Sequence, residues 1–234
     1  VIHDLKALRD QIDILDREII DLLNKRVSLA LEVGKIKHAH GAEFYVPSRE
    51  EEVFKKLVGI NNGPLDAKAI RSIYREVISA ALALESKLVI AYLGPEATYT
   101  QQAALKNFGH SVDYLPLATV PDVFVAVRRG DAQYGVIPIE NSTQGTVVTT
   151  LDMLLEEDLL VVAQVYLDIA HCLISQSPLD AIKEVHSKDN AIGQCRQWLA
   201  RMLPNATVVE VSSTAQAVKN AKANPHVAAI ASAI

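Results

Sequence analysis

The feature that most constrains this chain is a long helical seam near its start. Over residues 5–22, apolar side chains recur at alternating steps of three and four residues: Leu5, Leu8, Ile12, Leu15, Ile19 and Leu22. This spacing places them on one face of an α-helix and does not suit a strand. Because no glycine or proline occurs before Gly34, we predict one helix over residues 4–38, about 50 Å long.

Two shorter helices are predicted to follow. Ser48 and Glu51, just after Pro47, form a capping-box pattern that predicts the start of a second helix. Asp66 follows the turn sequence NNGPLD and is a candidate N-cap for a third helix. Residues 1–87 therefore predict an all-helical domain. A unit this small cannot cover a helix of that length, so we expect it to form a homodimer.

The pattern changes at Leu88. Short apolar runs that end at turn residues now alternate with helical segments, which predicts an α/β sheet domain over residues 88–234. The final run, VAAIASAI, is compatible with either a strand or a helix.

The charge of the chain is unevenly distributed. Of the 23 basic and 28 acidic residues, the first 87 positions hold equal numbers, so the net charge of −5 falls on the second half. Neither half has the basic surface of a nucleic-acid-binding protein.

Several other classes of protein are excluded by composition. The longest apolar run begins at Leu159 but contains Gln164, Asp168 and His171, so no stretch reaches the roughly 18 uninterrupted apolar residues of a membrane-spanning helix. The charged start is unlike a signal peptide, and only two cysteines favour a reducing compartment. We therefore expect a cytoplasmic protein without contact to a membrane. No spacing of metal ligands or cofactor motif occurs, so we expect neither group.

The basic residues of the first helix predict a site that is shared between two chains. Arg26 and Lys37 are eleven residues apart and lie on one face, about 16 Å apart along the axis. Arg9 lies about 25 Å from Arg26 and about 100° around the helix, so it could join them only from an antiparallel partner helix. With Arg49, these cations would suit a small dicarboxylate. The alternative for each residue alone is a solvated surface charge.

The order of motifs in this half resembles the all-helical class of chorismate mutase. The segments LRDQIDILDREIIDLLNKRVSLALEVGKIK and VPSREEEV carry the resemblance, which covers nearly all of residues 3–87. That family forms intertwined helical dimers that rearrange chorismate to prephenate, each site being completed by an arginine of the other chain. The resemblance implies catalytic roles for Arg26, Lys37 and Glu85. It implies substrate binding by Arg9 of the partner chain, Arg49 and Glu50.

The reaction implied by this resemblance needs no nucleophile or general base. The site selects a compact substrate conformer and directs donors at the breaking ether oxygen. The resemblance assigns Lys37 and Glu85 as these donors. Glu85 stands where some members carry glutamine, so it must be protonated to donate. Val46 and Ala81 replace an aspartate and a serine of some members, both auxiliary contacts.

In the second half, polar residues follow apolar strands. The turn Gly94-Pro95 leads to Thr98, Tyr99 and Thr100 at the start of a predicted helix, where backbone N–H groups favour anions. Similar positions after later strands are occupied by Glu140, Asn141 and Ser142, and by Ser187 with Gln194 in the next helix. The carboxyl ends of strands are where α/β proteins bind ligands. The alternative is that these residues merely form turns.

As an ordered set, the motifs of this half resemble prephenate dehydratase. They are GPEATYT, GVIPIENSTQGTV, IAHCLI, VHSKDNAIGQC and STAQAV. The resemblance implies two α/β lobes similar to type II periplasmic binding proteins, and loss of water and CO2 from prephenate to give phenylpyruvate. The implied cleft residues are Thr98, Tyr99, Thr100, Glu140, Asn141, Ser142, Ser187 and Gln194. The order of the two halves is similar to that of the bifunctional enzymes of phenylalanine biosynthesis.

Two departures from the family pattern stand out. Ala97 replaces a usual glycine, and the Thr-Arg-Phe motif, whose threonine the family assigns as proton donor, does not occur in the 234 residues. Loss of a hydroxyl needs a general acid, so we expect an incomplete dehydratase domain that is inactive as these residues alone. The alternatives are a non-enzymatic ligand-binding α/β module fused to a helical dimerisation domain, and a mutase with an α/β remnant.

Overall fold

The computed structural model describes residues 2–40, 45–141 and 145–232. The first part of the chain forms three helices, as predicted: α1 (Ile2–Ala39), α2 (Pro47–Ile60) and α3 (Ala67–Glu85). The predicted cap of α3 is confirmed, because Asp66 Oδ1 accepts a hydrogen bond from the backbone N–H of Ala69 at 2.6 Å. Among the described residues, no helix is long and apolar enough to cross a membrane.

The predicted capping box of α2 is wrong. Pro47 is itself the first helical residue, and the N-cap, Val46, makes no side-chain cap hydrogen bond. Proline suits this position because its φ is already helical and its missing N–H would have had no partner there. Glu51 binds the guanidinium of Arg71 on α3 instead, with both N···O distances at 2.9 Å. The ion pair therefore holds α2 against α3.

The chain then forms a first α/β lobe. Its parallel sheet has the order β2-β1-β3 and is accompanied by two helices: β1 (Val89–Leu93), α4 (Tyr99–Phe108), β2 (Asp113–Leu117), α5 (Val120–Arg129) and β3 (Tyr134–Val136). A short antiparallel pair and a helix follow: β4 (Glu140–Asn141), β5 (Gly145–Thr146) and α6 (Val148–Glu156). Residues 157–171 lie outside helices and strands.

A second lobe is built on a four-stranded sheet of order β6-β9-β7-β8. Its elements are β6 (Cys172–Ile174), a 3₁₀ turn (Leu179–Ala181), β7 (Glu184–Ser187), α7 (Asp189–Met202), β8 (Thr207–Glu210), α8 (Thr214–Ala223) and β9 (Val227–Ala231). Only β6 runs antiparallel to its neighbour among these strands. The open alternative for the last apolar run is thus decided: it forms the central strand β9, with every residue buried.

The helical part and the first lobe share one hydrophobic core. Buried side chains from both parts form a single cluster: Tyr45, Phe54, Ile78, Leu82, Leu88, Ile90, Tyr92, Ala104, Phe108 and Val112. The turn at residues 109–111 lies on α3, where Ser79 Oγ accepts from the backbone N–H of Ser111 at 3.1 Å. The change of secondary structure near residue 88 is therefore not a break in the core.

Helix α1 is covered on one side only. It packs mainly against α3, and its remaining apolar side chains face solvent. Leu8 is 57% exposed and Leu22 is 63% exposed. Both belong to the seam that the sequence places on one helical face.

Candidate active sites

Arg26 reaches from α1 towards α3. Its guanidinium carbon lies 5.9 Å from the centre of the Tyr74 ring. The Nη1 atom is buried and has no hydrogen-bond partner among the described residues. A buried donor without an acceptor is costly, and a guanidinium in this state is suited to a bidentate contact with a carboxylate.

A close approach of α1 and α3 brings Glu85 beside Lys37. Gly34 is buried, and a Cβ atom at that position would lie 3.1 Å from the Cγ, Cδ and Oε2 atoms of Glu85. Because Gly34 has no side chain, the carboxyl group of Glu85 can lie against α1 at this point. Desolvation raises the pKa of Glu85, and the charge of Lys37 only partly opposes that shift. The protonated carboxyl, which can donate a hydrogen bond, persists to higher pH than in an exposed glutamate.

The two predicted residues of α2 lie in different surroundings. Arg49 is exposed and pairs with Glu52 of its own helix at 2.9 Å. Glu50 is mostly buried and binds Arg75 of α3 at 2.5 Å, while its Oε1 atom has no partner among the described residues. Desolvation raises the pKa of Glu50, and the charge of Arg75 opposes the shift.

The sequence analysis missed Arg75. A signal existed: Arg71 and Arg75 are four residues apart on one helix, and adjacent carboxylates of α2 stand opposite them.

Arg9 is exposed at the far end of α1, about 25 Å along the axis from Arg26. A single chain therefore collects Arg26, Lys37 and Glu85 along the α1–α3 contact and leaves Arg9 outside it.

In the first lobe, the start of α4 is built by Thr98. Its hydroxyl caps the helix by accepting from the Gln101 N–H at 3.3 Å, and donates to the Leu93 carbonyl at 3.4 Å. Ala97 has a φ of +61°, in the left-handed region that favours the glycine usual at this position. The backbone N–H of Ala97 donates to Gln101 Oε1 at 2.5 Å. Thr100 lies in the first turn of the same helix.

Tyr99 connects the two lobes. Its hydroxyl lies 3.2 Å from His171 Nδ1 and 3.2 Å from the carbonyl oxygen of Ala170. His171 Nε2 lies 2.6 Å from Gln194 Oε1 on α7. Desolvation raises the pKa of Tyr99, and a hydrogen bond from Ser232 opposes the shift. The structure thus brings together two predicted cleft residues, Tyr99 and Gln194, through one that was not predicted.

His171 could have been found from the sequence. It lies in IAHCLI, one of the motifs that carry the family resemblance, but no spacing marked it as a partner of Tyr99.

The other predicted residues of the α/β region are dispersed. Glu140 is exposed and Asn141 is partly buried, both in β4, whereas Ser142 lies outside the described residues. Ser187 is fully buried and donates its hydroxyl to the Ile230 carbonyl at 2.6 Å, which ties β7 to β9.

Within the described ranges, no group of three histidine, cysteine, aspartate or glutamate side chains is arranged to hold a metal ion. The two cysteines, Cys172 and Cys195, are free thiols and partly buried.

Comparison with known families agrees with this geometry. Residues 90–234 match the family model described as prephenate dehydratase. The chain belongs to the prephenate dehydratase family. Residues 8–86 match a second model, chorismate mutase type II. Both resemblances inferred from the motifs are confirmed, as is the fold class of a helical region followed by an α/β region.

Two relatives are named for both regions. The chain is 43% identical to the bifunctional chorismate mutase/prephenate dehydratase of Aquifex aeolicus, over 99% of this chain and 66% of the relative. It is 44% identical to the protein of the same name from Stutzerimonas stutzeri, over 97% of this chain and 64% of that protein. The chain thus spans slightly less than two thirds of the length of these relatives.

A solved structure shares the α/β fold. The prephenate dehydratase of Staphylococcus aureus superposes with a TM-score of 0.54 and 29% identity, over 62% of this chain and 54% of that chain.

Proposed function

We propose that the helical half catalyses one reaction of phenylalanine biosynthesis and that the α/β half contributes the binding site for the next. The helical domain, residues 1–87, would rearrange chorismate to prephenate. The α/β domain, residues 88–234, would provide a site for conversion of prephenate to phenylpyruvate with loss of water and CO2. Support comes from the two family models in this order along the chain and from relatives named for both activities.

One observation carries the mutase proposal: the buried Nη1 atom of Arg26 has no hydrogen-bond partner among the described residues, and it lies on the helix that also carries Lys37. A substrate carboxylate would satisfy this donor and fix the substrate in its compact conformer, which is an orientation effect. Lys37 and protonated Glu85 would donate to the ether oxygen as its bond breaks, where charge develops. No proton needs to leave the substrate, so the absence of a general base from this set is consistent with the reaction.

The mutase site would be completed by a second copy of the chain. The exposed apolar face of α1 offers the surface for such a homodimer. In an antiparallel pairing of two α1 helices, Arg9 of one protomer would come near Arg26 of its partner. Arg49 and Glu50 would complete the binding of chorismate, with Arg75 holding Glu50 in place through their ion pair. We assign this dimer to the cytoplasm and assign it no cofactor.

The dehydratase cleft would lie between the two lobes. The set Thr98, Tyr99, Thr100, Glu140, Asn141, Ser142, Ser187 and Gln194 is proposed to line it. The start of α4 carries three of these residues, and its N–H groups favour the carboxylates of prephenate. Ser187 would act mainly by holding β7 against β9, because its hydroxyl is already engaged.

The alternative is a ligand-binding module without activity, fused to a helical dimerisation domain. Membership of an enzyme family does not favour it. The decisive experiment incubates the purified chain with chorismate and follows chorismate loss and prephenate formation, with the Arg26→Ala variant as control. We expect turnover by the wild-type chain and a rate about 10³-fold lower in the variant, the effect of one lost donor. Binding of chorismate without turnover would overturn the mutase proposal and leave the alternative.

A further inference from the structure

The polar contacts that join the two lobes have a direction. Gln194 Oε1 can only accept a hydrogen bond, so in this amide orientation the His171 Nε2 atom at 2.6 Å carries the proton. In the neutral imidazole, Nδ1 is then an acceptor, and the Tyr99 hydroxyl shares its single proton between Nδ1 and the Ala170 carbonyl, each 3.2 Å away. The donors therefore run in one sense, from Tyr99 through His171 to Gln194.

The end of this chain of bonds has a chemical consequence. Because the carbonyl oxygen of Gln194 is held by His171, the amide rotamer is fixed and both N–H bonds of Nε2 point away from the imidazole. Gln194 is exposed on the second turn of α7, where its amide is accessible to a ligand. A successive series of hydrogen bonds also polarises its members in the same sense, which makes the terminal amide a better donor.

We propose that His171 is a positioning residue of the dehydratase cleft, which orients the Gln194 amide as a donor to a carboxylate of the substrate. The proposal rests on the dehydratase function proposed above. His171 need not touch the substrate, since it acts through Gln194. It also links the lobes, because Tyr99 belongs to the first lobe and His171 and Gln194 flank the sheet of the second.

Two substitutions separate the two contacts of His171. In His171→Gln, the side-chain amide nitrogen takes the place of Nε2 and can still donate to Gln194, while the Tyr99 hydroxyl keeps the Ala170 carbonyl as acceptor. In His171→Asn, the side-chain oxygen takes the place of Nδ1 and still accepts from Tyr99, but the side chain is too short to reach Gln194. His226→Gln is the matched control, an exposed histidine of the same lobe bound to the Ala181 carbonyl at 3.1 Å.

The experiment measures the dissociation constant for prephenate by calorimetry on the full chain, with chorismate turnover as the test of folding. We expect His171→Asn to bind prephenate about tenfold more weakly, the usual effect of one lost hydrogen bond. His171→Gln and His226→Gln should stay within about threefold of the wild type. Equal weakening in the Gln and Asn variants, or no weakening in either, would overturn the proposal.

A second measurement does not depend on the substrate. Nitrogen-15 chemical shifts of the His171 ring should report a proton on Nε2 and none on Nδ1 in the wild-type chain, and a changed tautomer population in Gln194→Ala. A proton on Nδ1 alone would overturn the proposal. If the wild type fails to bind prephenate while Nε2 carries the proton, the dehydratase function fails and the assigned hydrogen-bond direction stands.

Discussion

Helix α1 and strand β9 are both rich in apolar residues, yet their surroundings are opposite. In α1, Leu8 is 57% exposed and Leu22 is 63% exposed, whereas the most exposed residue of β9, Ala231, is only 5% exposed. Strand β9 lies between β6 and β7 of its own chain, but α1 packs mainly against α3. An apolar pattern of similar strength thus indicates tertiary packing in the second half and, in our proposal, packing between two chains in the first.

The strongest way to break this comparison is to place a charge on the α1 seam. We expect Ile19→Glu to give a monomer without mutase activity, because the charge would be desolvated in the dimer and Arg9 would not reach its partner's site. Static light scattering and chorismate turnover check both effects. Val208→Glu, at an exposed site on β8, is the control that should leave association unchanged. A dimeric Ile19→Glu variant would show that α1 is not the interface.

A complementation experiment tests whether each site needs two chains. We expect Arg9→Ala and Arg26→Ala each to lose about 10³-fold in mutase kcat/KM, as measured for comparable lost donors of roughly 3–4 kcal/mol. In a mixed dimer, one of the two sites keeps both arginines, so activity should return on mixing the variants. Mixing that restores nothing would place Arg9 and Arg26 in separate sites.

The pH dependence of the mutase tests the role of Glu85. Desolvation raises the pKa of this carboxyl, with Lys37 opposing, and only the protonated form donates. The favourable form is therefore complete below the raised pKa and is lost as pH rises through it, so kcat/KM should decline from acid towards neutral and alkaline pH.

Matched variants sharpen this prediction. Glu85→Gln keeps a donor at every pH and should flatten the profile. Glu85→Ala should be slower than Glu85→Gln at every pH by about 10²-fold, near the lower end of the effect of a lost donor. A wild-type profile that is already flat, or a Gln variant with the same slope, would mean that Glu85 does not donate to the ether oxygen.

The smallest expected effect concerns the junction of the two halves. Gly109 has a φ of +75°, and a Cβ atom there would lie 2.5 Å from Ser79 Cβ on α3. We expect Gly109→Ala to lower the free energy of unfolding by about 2–3 kcal/mol, the sum of backbone strain and overpacking. Gly130→Ala is the comparison, with no atom within 4 Å of its Cβ position. Gly130 has a φ of +79° and a ψ of +9°, in the left-handed helical region, whereas the ψ of −165° at Gly109 belongs to a region almost confined to glycine.

For Gly130→Ala, we expect a loss of about 1 kcal/mol, from backbone strain alone. Denaturant unfolding of the two variants measures the difference. Equal losses would show that the contact between the turn and α3 contributes nothing beyond local conformation, and that the two halves are less tightly joined than their shared core indicates.

The elements that the sequence predicted correctly are those governed by short-range patterns. Helix α1 was predicted over residues 4–38 and runs Ile2–Ala39, because its apolar spacing and lack of breakers are local properties. The cap at Asp66 was also found. The capping box at Ser48 failed because Pro47 competes for the helix start, which shifts the serine into the first turn.

The sequence alone was enough to predict the helical and α/β regions in their order and the two families. Periodicity and motif order are local properties of the chain, so they need no knowledge of the tertiary structure. Which side chains meet was decided by tertiary structure. Glu50 and Arg75 are 25 residues apart, and Tyr99 and His171 are 72 residues apart. No local rule relates such positions, because their contact depends on how α2 packs on α3 and how one lobe faces the other. The same packing buries the hydroxyl of Ser187 in a bond to β9.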